Sequence, residues 1–234
     1  MAGRYEHLTD PPDPATAQRR RQAILAGHQA PNTSVDTART LLTDPQAPVR
    51  AAALNALHRL NQLTGPQLTT SLNDPAAAVQ QQALNVATQQ PPTKELAQEV
   101  AQLLDHHDPD VIETTCWALG EILPELNQPE LSEQHATQLA DLGQNHDDPL
   151  CREAAIAALG ALGHPNSLPA ILAALDDKAP IRRRATLALA SYEGPQVDAA
   201  LKRMLTDRDP QTRQAAEDLT GFSPNDPPDE DETP

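Results

Sequence analysis

An internal repeat constrains this chain more than any other feature of its sequence. Between residues 41 and 222, a turn containing Asp or Pro is followed six times by an alanine-rich amphipathic stretch. The copies align on one small or β-branched residue after each turn, and successive aligned positions are 30, 32, 40, 30 and 31 residues apart. We call these positions the anchors: Val49, Val79, Val111, Cys151, Ile181 and Thr212. Such a period indicates stacked supersecondary units.

Each anchor lies near the start of an amphipathic helix. Small or apolar residues recur four and eight positions later, as in Ala53 and Leu57 or Thr115 and Leu119. Because a helix turns about 100° per residue, these positions share one face, which we expect to be buried. Asp suits the N-cap before such a helix, and Pro suits its first position. We call these the second helices and predict shorter first helices before them, at 34–43, 94–104, 131–142, 167–175 and 195–205.

The composition favours an all-α fold. Only 2% of the residues are aromatic, and alanine and leucine supply most of the apolar content, which suits close helix packing. We therefore predict an α-solenoid, or superhelix, of six to seven stacked helix pairs over residues 1–220, with a degenerate unit at the N-terminus. Residues 221–234 are acidic and rich in proline, so we expect a disordered tail.

Charge and targeting features narrow the classes of partner. The formal net charge of −16 disfavours sequence-independent binding to nucleic acids and anionic membranes. Two cysteines cannot build a disulfide framework, the first residues contain no apolar signal region, and no apolar run is long enough to span a bilayer. We expect a cytoplasmic monomer without a cofactor.

The repeats resemble HEAT-like repeats of the type named for phycobilisome lyases, whose pattern is D-P-x-V-R-x-x-A-x-x-A-L. DPQAPVRAAALNAL (44–57) and DPLCREAAIAAL (148–159) carry the resemblance, which covers about residues 35–220. The chain departs from the pattern at Gln80 and Ile112, where the family has Arg. The resemblance implies that the second helices line a concave surface, and that an inter-repeat ladder of Asp–Arg pairs uses Arg50, Arg152, Arg182 and Arg213.

Trp117 is the residue that repeat packing explains least. It follows its anchor by six positions, about 240° around the helix, and so points away from the buried face. The same offset holds Ala157 and Leu187, which would give an apolar strip on the exposed side. Such a tryptophan is typical of protein–protein interfaces. The predicted partner-binding residues are Trp117, Glu113, Glu153, Arg183 and Leu187.

An alternative packing of Trp117 remains open at this point. The helix angle is also compatible with an indole that folds down between the third and fourth units, near Gly160. In that case Trp117 would contribute to stability, and the apolar strip would lose its centre. We also expect Gly120 to lie near the end of its helix.

The sequence offers weak candidates for a metal site. His106 and His146 occupy the same position in consecutive repeats, five residues before their anchors, and could ligate zinc or iron. Solvated or capping histidines are the alternative. Iron enzymes on this fold, the deoxyhypusine hydroxylases, use His-Glu dipeptides, and no histidine here precedes glutamate. Cys116 and Cys151 resemble small buried apolar residues. We predict no catalytic residue.

Two functional classes follow from these observations. The first is a non-catalytic scaffold or adaptor that binds a protein or peptide on the concave face. The second, implied by the resemblance, is an enzyme or enzyme accessory, either similar to phycobilin lyases or a metal-dependent oxidoreductase. The absence of His-Glu dipeptides and of other catalytic motifs favours the first class.

Overall fold

Helices form most of the structure in the described residues. The structure, a computed structural model, describes residues 13–29 and 31–221, and these contain thirteen α-helices and no β-strand, which confirms the all-α fold. The chain forms two compact units, Met1–Pro91 and Pro92–Pro234. The single domain expected over residues 1–220 stays a prediction, and the tail expected from 221 lies, beyond Gly221, outside the described residues.

The unit Met1–Pro91 contains five helices. They are α1 (Pro14–Ala26), α2 (Pro31–Leu41), α3 (Ala47–Arg59), α4 (Gly65–Leu72) and α5 (Ala77–Ala87). Helices α1, α3 and α5 pack side by side as second helices, while α2 packs on α1 and α3 and α4 packs on α5. The core between α1 and α3 is built from small side chains, including Ala23, Val49 and Ala53. Helix α1 therefore belongs to an N-terminal repeat.

The unit Pro92–Pro234 contains the remaining eight helices and three short 3₁₀ helices. Helices α7, α9, α11 and α13 stack in order as second helices, and α8, α10 and α12 pack against them as first helices. The α-helices are α6 (Lys94–Ala101), α7 (Pro109–Leu126), α8 (Pro129–Asn145), α9 (Pro149–Leu162), α10 (Leu168–Ala174), α11 (Ala179–Ala188), α12 (Pro195–Met204) and α13 (Pro210–Thr220), and the 3₁₀ helices are Gln102–Asp105, Pro165–Ser167 and Leu189–Ser191.

The buried face predicted from the repeat is the one that packs. All six anchors are 0–1% exposed, and so are the residues four positions after them. The turns also behave as expected, because the carboxylates of Asp108, Asp148 and Asp209 accept hydrogen bonds from backbone N–H groups of the helices that follow. One expected core position is wrong: Thr220, eight residues after the last anchor, is exposed. It lies in the last described helix, and none of the repeats within residues 13–29 and 31–221 follows it.

A ladder of Arg–Asp ion pairs joins consecutive repeats. In four repeats, an arginine near the start of the second helix reaches forward to an aspartate in the next turn, with N–O distances of 2.6–2.8 Å. A second guanidinium nitrogen of Arg50, Arg152 and Arg182 donates to a backbone carbonyl in the preceding turn of the same repeat. The inter-repeat ladder is therefore confirmed for Arg50, Arg152 and Arg182, and the structure adds Arg19. Its steps are Arg19–Asp44, Arg50–Asp74, Arg152–Asp177 and Arg182–Asp207.

Arg213 is the last arginine of the series. Its Nη1 donates to the carbonyl of Asp207 at 2.7 Å, in the same way as the other ladder arginines hold their own turns. It forms no ion pair with a carboxylate among the described residues. The inter-repeat pair predicted for Arg213 is therefore wrong. Arg213 lies on the last described helix and keeps the contact within its repeat.

Two helices differ from the sequence expectation. Helix α4 was not predicted, because its sequence GPQLTTSL is poor in strong helix formers; a capping box between Thr64 and Gln67 begins it. Helix α7 continues through Pro124 to Leu126, so the expectation that Gly120 lies near the helix end is wrong. The long α7 and α8 account for the 40-residue spacing between the third and fourth anchors.

None of the helices in the described part of the chain is both long and apolar enough to cross a lipid bilayer. The longest, α7 with 18 residues, buries one face against α9 and carries acidic residues on the other.

Candidate functional site

A groove of about 410 Å³ lies along the exposed faces of α7 and α9. We call it the Trp117 groove. Small residues contribute much of its lining, Trp117 and Leu150 are its large apolar side chains, and the guanidinium of Arg184 reaches it from α11. The full lining is Glu113, Trp117, Gly120, Glu121, Leu150, Glu153, Ala154, Ala157, Ala158, Ala161 and Arg184.

The groove exists because the two helices present small residues to each other. A Cβ atom added to Gly120 would lie 3.3 Å from the Cα atom of Ala158, so α7 and α9 approach closely at this point. Gly120 and Ala158 are too small to fill the space beside this contact, and that space is the groove. Trp117, one turn earlier on α7, is 45% exposed, and Leu150 is 40% exposed. Of the two placements considered for the indole, the structure has the exposed one.

Acidic side chains surround the indole. Glu113 and Glu121 lie four residues before and after Trp117, and residues at this spacing are neighbours on one helix face. Glu153 lies on the opposite helix, and its Oε1 is 3.5 Å from Nη2 of Arg184. Three carboxylates therefore line the groove with one guanidinium, which leaves the groove negatively charged.

The structure brings together three of the five predicted site residues. Trp117, Glu113 and Glu153 all line the groove. Arg183 does not, because its Nη1 donates a hydrogen bond to Oε1 of Gln211. Leu187 is exposed on α11 but is also outside the lining.

Sequence reasoning missed three of the six large side chains that line the groove, those of Glu121, Leu150 and Arg184. Glu121 could have been found, because it is one helical turn after Trp117. Arg184 is the immediate neighbour of the predicted Arg183. Choosing between them requires knowing how α11 is rotated about its axis, because adjacent residues point about 100° apart. Leu150 was missed because it comes one residue before its anchor, Cys151, and the repeat analysis considered only positions after each anchor.

The comparisons with known proteins agree with the helix stacking. Residues 136–219 match the family model of HEAT repeats. The chain is a HEAT-like repeat protein. No characterised protein matches it significantly by sequence alone. This fold is commonly a protein-binding scaffold and is typically non-catalytic.

Solved structures show the same fold at low identity. The Escherichia coli protein YibA is 14% identical with a TM-score of 0.59, over 89% of this chain and 74% of YibA. An engineered protein is 21% identical with a TM-score of 0.52, over 87% and 97%. A designed armadillo repeat protein in complex with the peptide (KR)4 is 16% identical with a TM-score of 0.51, over 87% and 97%. At these identities, the similarity concerns the fold alone.

In this HEAT-like chain, the side chains of His106 and His146 form hydrogen bonds within their own turns. The Nδ1 atom of each accepts a hydrogen bond from the backbone N–H two residues later, at 3.0 Å. Asp44, at the same position in another repeat, accepts the equivalent bond with its carboxylate. No group of three or more His, Cys, Asp or Glu side chains placed to hold a metal ion occurs within residues 13–29 and 31–221.

Histidine replaces aspartate in the turns that have no ladder arginine on the preceding second helix. The two repeats with a histidine in the turn are those that follow Gln80 and Ile112, the two second helices without a ladder arginine. A turn that receives no guanidinium thus carries an imidazole where the others carry a carboxylate. This pairing explains the histidines by turn geometry, without a ligand.

Both cysteines are buried and neither forms a disulfide, which agrees with the sequence expectation of small buried residues. Burial raises the pKa of the Cys116 thiol strongly, and the nearby Cys151 and Glu113 raise it further. A thiol that stays protonated at neutral pH is a poor nucleophile. Cys116 lies on the buried face of α7, whereas its neighbour Trp117 lies on the exposed face.

Proposed function

We propose that this HEAT-like repeat protein is a non-catalytic scaffold or adaptor that binds a protein or peptide partner, with the Trp117 groove at the centre of the binding surface. One observation carries the proposal: a large aromatic side chain is left 45% exposed beside a groove lined with small apolar residues. Tryptophan is enriched at binding hot spots because it buries a large apolar area and offers an N–H donor.

The size of the groove indicates what it would hold. A volume of about 410 Å³ is within the usual range of about 300–1,000 Å³ for binding pockets. A groove of this volume is too small to hold a whole protein surface, so we expect it to receive one or two side chains of a partner. The remaining contacts would come from neighbouring second helices, where Arg183 and Leu187 of α11 extend the proposed surface. This is the layer expected on the concave side.

The chemistry of the described residues supports a binding role. The thiol of Cys116 is buried with a raised pKa, and the turn histidines are engaged by backbone N–H groups. These groups are therefore occupied in holding the fold. Two buried thiols that form no disulfide also fit a reducing compartment. A cytoplasmic location and a monomeric state therefore remain part of the proposal.

Selection of peptides from a random display library tests the proposal. Selected peptides are synthesised and their affinities are measured by calorimetry against four forms of the full chain. Trp117→Ala removes the indole, and Ala157→Leu fills the groove from α9. Leu25→Ala is the control, because Leu25 is also 45% exposed but belongs to the unit Met1–Pro91.

We expect both groove variants to weaken binding by at least about tenfold, as for loss of a hot-spot residue, and Leu25→Ala to leave it unchanged. Far-UV circular dichroism of each variant verifies that the helices are intact. The proposal is wrong if no peptide is selected, or if selected peptides bind the wild-type chain and Trp117→Ala equally. A Trp117→Ala chain that does not fold, together with tight binding to Ala157→Leu, would also contradict it.

A further inference from the structure

We infer that the side chain received by the Trp117 groove is cationic, so that the partner segment presents an arginine or lysine beside an apolar residue. This inference rests on the proposed function and names the chemical class of its partner. Its basis is the combination of an exposed indole with carboxylates on both helices that form the groove.

The carboxylates supply the charge complementarity. Glu121 is exposed and forms no ion pair with another described residue. Glu153, across the groove on α9, is only partly neutralised, because Arg184 approaches it at 3.5 Å and is itself 41% exposed. A cation between α7 and α9 would therefore meet carboxylates from two helices. An acidic segment would meet the same groups at a repulsive distance.

The indole supplies the second part of the site. A guanidinium or ammonium group is attracted to the face of an aromatic ring within about 6 Å of its centre, and tryptophan is the strongest such partner. Glu113 and Glu121 lie one turn on each side of Trp117, so a cation placed over the ring remains near carboxylates. Charge and ring thus favour the same occupant.

The apolar lining accounts for the rest of an Arg or Lys side chain. Both residues carry an aliphatic stem that can lie along apolar surface while the charged end stays near its partners. Leu150 and the alanines of α9, Ala154, Ala157 and Ala161, provide such a surface. The exposed Leu150 side chain also offers a contact for an apolar neighbour of the cation in the partner.

Matched peptides that differ only in charge test this inference. The first probe is a synthetic peptide of repeated Arg-Ala-Leu-Gly, and the second replaces each arginine with citrulline, which keeps the shape but lacks the charge. A third replaces each arginine with glutamate. Because Trp117 is the only tryptophan of the chain, its fluorescence reports directly on the groove. Calorimetry gives the affinity for the wild-type chain and for the variants Trp117→Ala, Glu121→Gln and Glu125→Gln.

Glu125→Gln is the control for Glu121→Gln. Both residues are exposed on α7 and both changes remove one negative charge, but Glu125 is outside the groove. Any effect of overall charge on a basic peptide will therefore appear equally in the two variants. An effect of the groove will appear only in Glu121→Gln and Trp117→Ala.

We expect the arginine peptide to bind at least about tenfold more tightly than the citrulline peptide, and Glu121→Gln to weaken it about three- to tenfold. Glu125→Gln should have little effect, and the glutamate peptide should not bind. The inference is overturned if the citrulline or glutamate peptide binds as well as the arginine peptide, or if the two glutamine variants behave alike. If library peptides bind through Trp117 but carry no cation, the proposed function stands and only this inference fails.

Discussion

Replacing Arg182 with methionine perturbs the most buried step of the Arg–Asp ladder. The side chains of Arg182 and Asp207 are 6% and 9% exposed, and two hydrogen bonds of 2.8 and 2.9 Å join them. Arg182→Met leaves the Asp207 carboxylate without its cation and the carbonyl of Asp177 without its donor. Loss of one partner from a buried pair costs about 3–5 kcal/mol. Because each repeat is only two helices thick and water is close, we expect about 2–3 kcal/mol.

Urea unfolding measures this loss. Far-UV circular dichroism follows all helices, and Trp117 fluorescence follows the unit Pro92–Pro234, which also contains Arg182. Arg19→Met is the matched control on a more exposed step, since the Arg19 side chain is 34% exposed against 6% for Arg182, and it should lower the free energy of unfolding less. A loss for Arg182→Met no larger than that for Arg19→Met would refute the reasoning.

A double variant separates the unpaired charge from lost packing. Asp207→Asn removes the negative charge but retains an oxygen that can accept the hydrogen bond from the N–H of Asp209. We expect Arg182→Met combined with Asp207→Asn to recover at least half of the lost stability, because no buried charge is then left alone. If the double variant is as unstable as Arg182→Met, the loss comes from packing of the arginine stem.

Two further predictions concern packing and acid stability. Gly160→Ala should lower the free energy of unfolding by about 1–2 kcal/mol despite alanine's helix propensity, because the new Cβ would lie 2.6 Å from the Cβ and 2.9 Å from the Cα of Ala188. Gly120→Ala, whose nearest atom would be 3.3 Å away, should lower it less, and urea titrations measure both changes. The guanidinium of Arg182 lowers the pKa of Asp207, so this pair's stabilisation is complete above about pH 4 and is lost as pH falls through the lowered pKa. Arg182→Met should therefore lose less stability than wild type between about pH 5 and pH 3, a difference that urea titrations at the two pH values measure.

The repeat made the fold predictable because one pattern recurs six times. Errors in any single unit were outweighed by the others, so the buried anchors and the capped turns were found from sequence. The features that failed are those that occur once. Helix α4 lacks the helix formers of the other units, and Gly120 follows the pattern of a helix end although close contact with Ala158 explains it. Thr220 fits the core offset but is exposed in the last described helix.

The site was less predictable than the fold for a geometrical reason. Offsets along a helix give direction to within a few tens of degrees, which is enough to place Trp117 on the outer side. They do not give the rotation of α11 against α9, which decides that Arg184 and not Arg183 reaches the groove. The groove itself arises from the absence of side-chain volume at Gly120 and Ala157, and a missing volume leaves no positive signal in a sequence.

The ladder also determines which repeats can be exchanged. A unit that begins with an aspartate turn and carries an arginine on its second helix can follow a copy of itself, as in residues 177–206. Duplicating that segment would keep every pairing, because each Arg182 would face an aspartate. The unit with His146 and Arg152 cannot be duplicated in this way, since the first Arg152 would face the imidazole of the copied His146. That unit joins a repeat without a ladder arginine to one that receives an arginine. The array can therefore lengthen by copies of residues 177–206, but not by copies of the unit with His146 and Arg152.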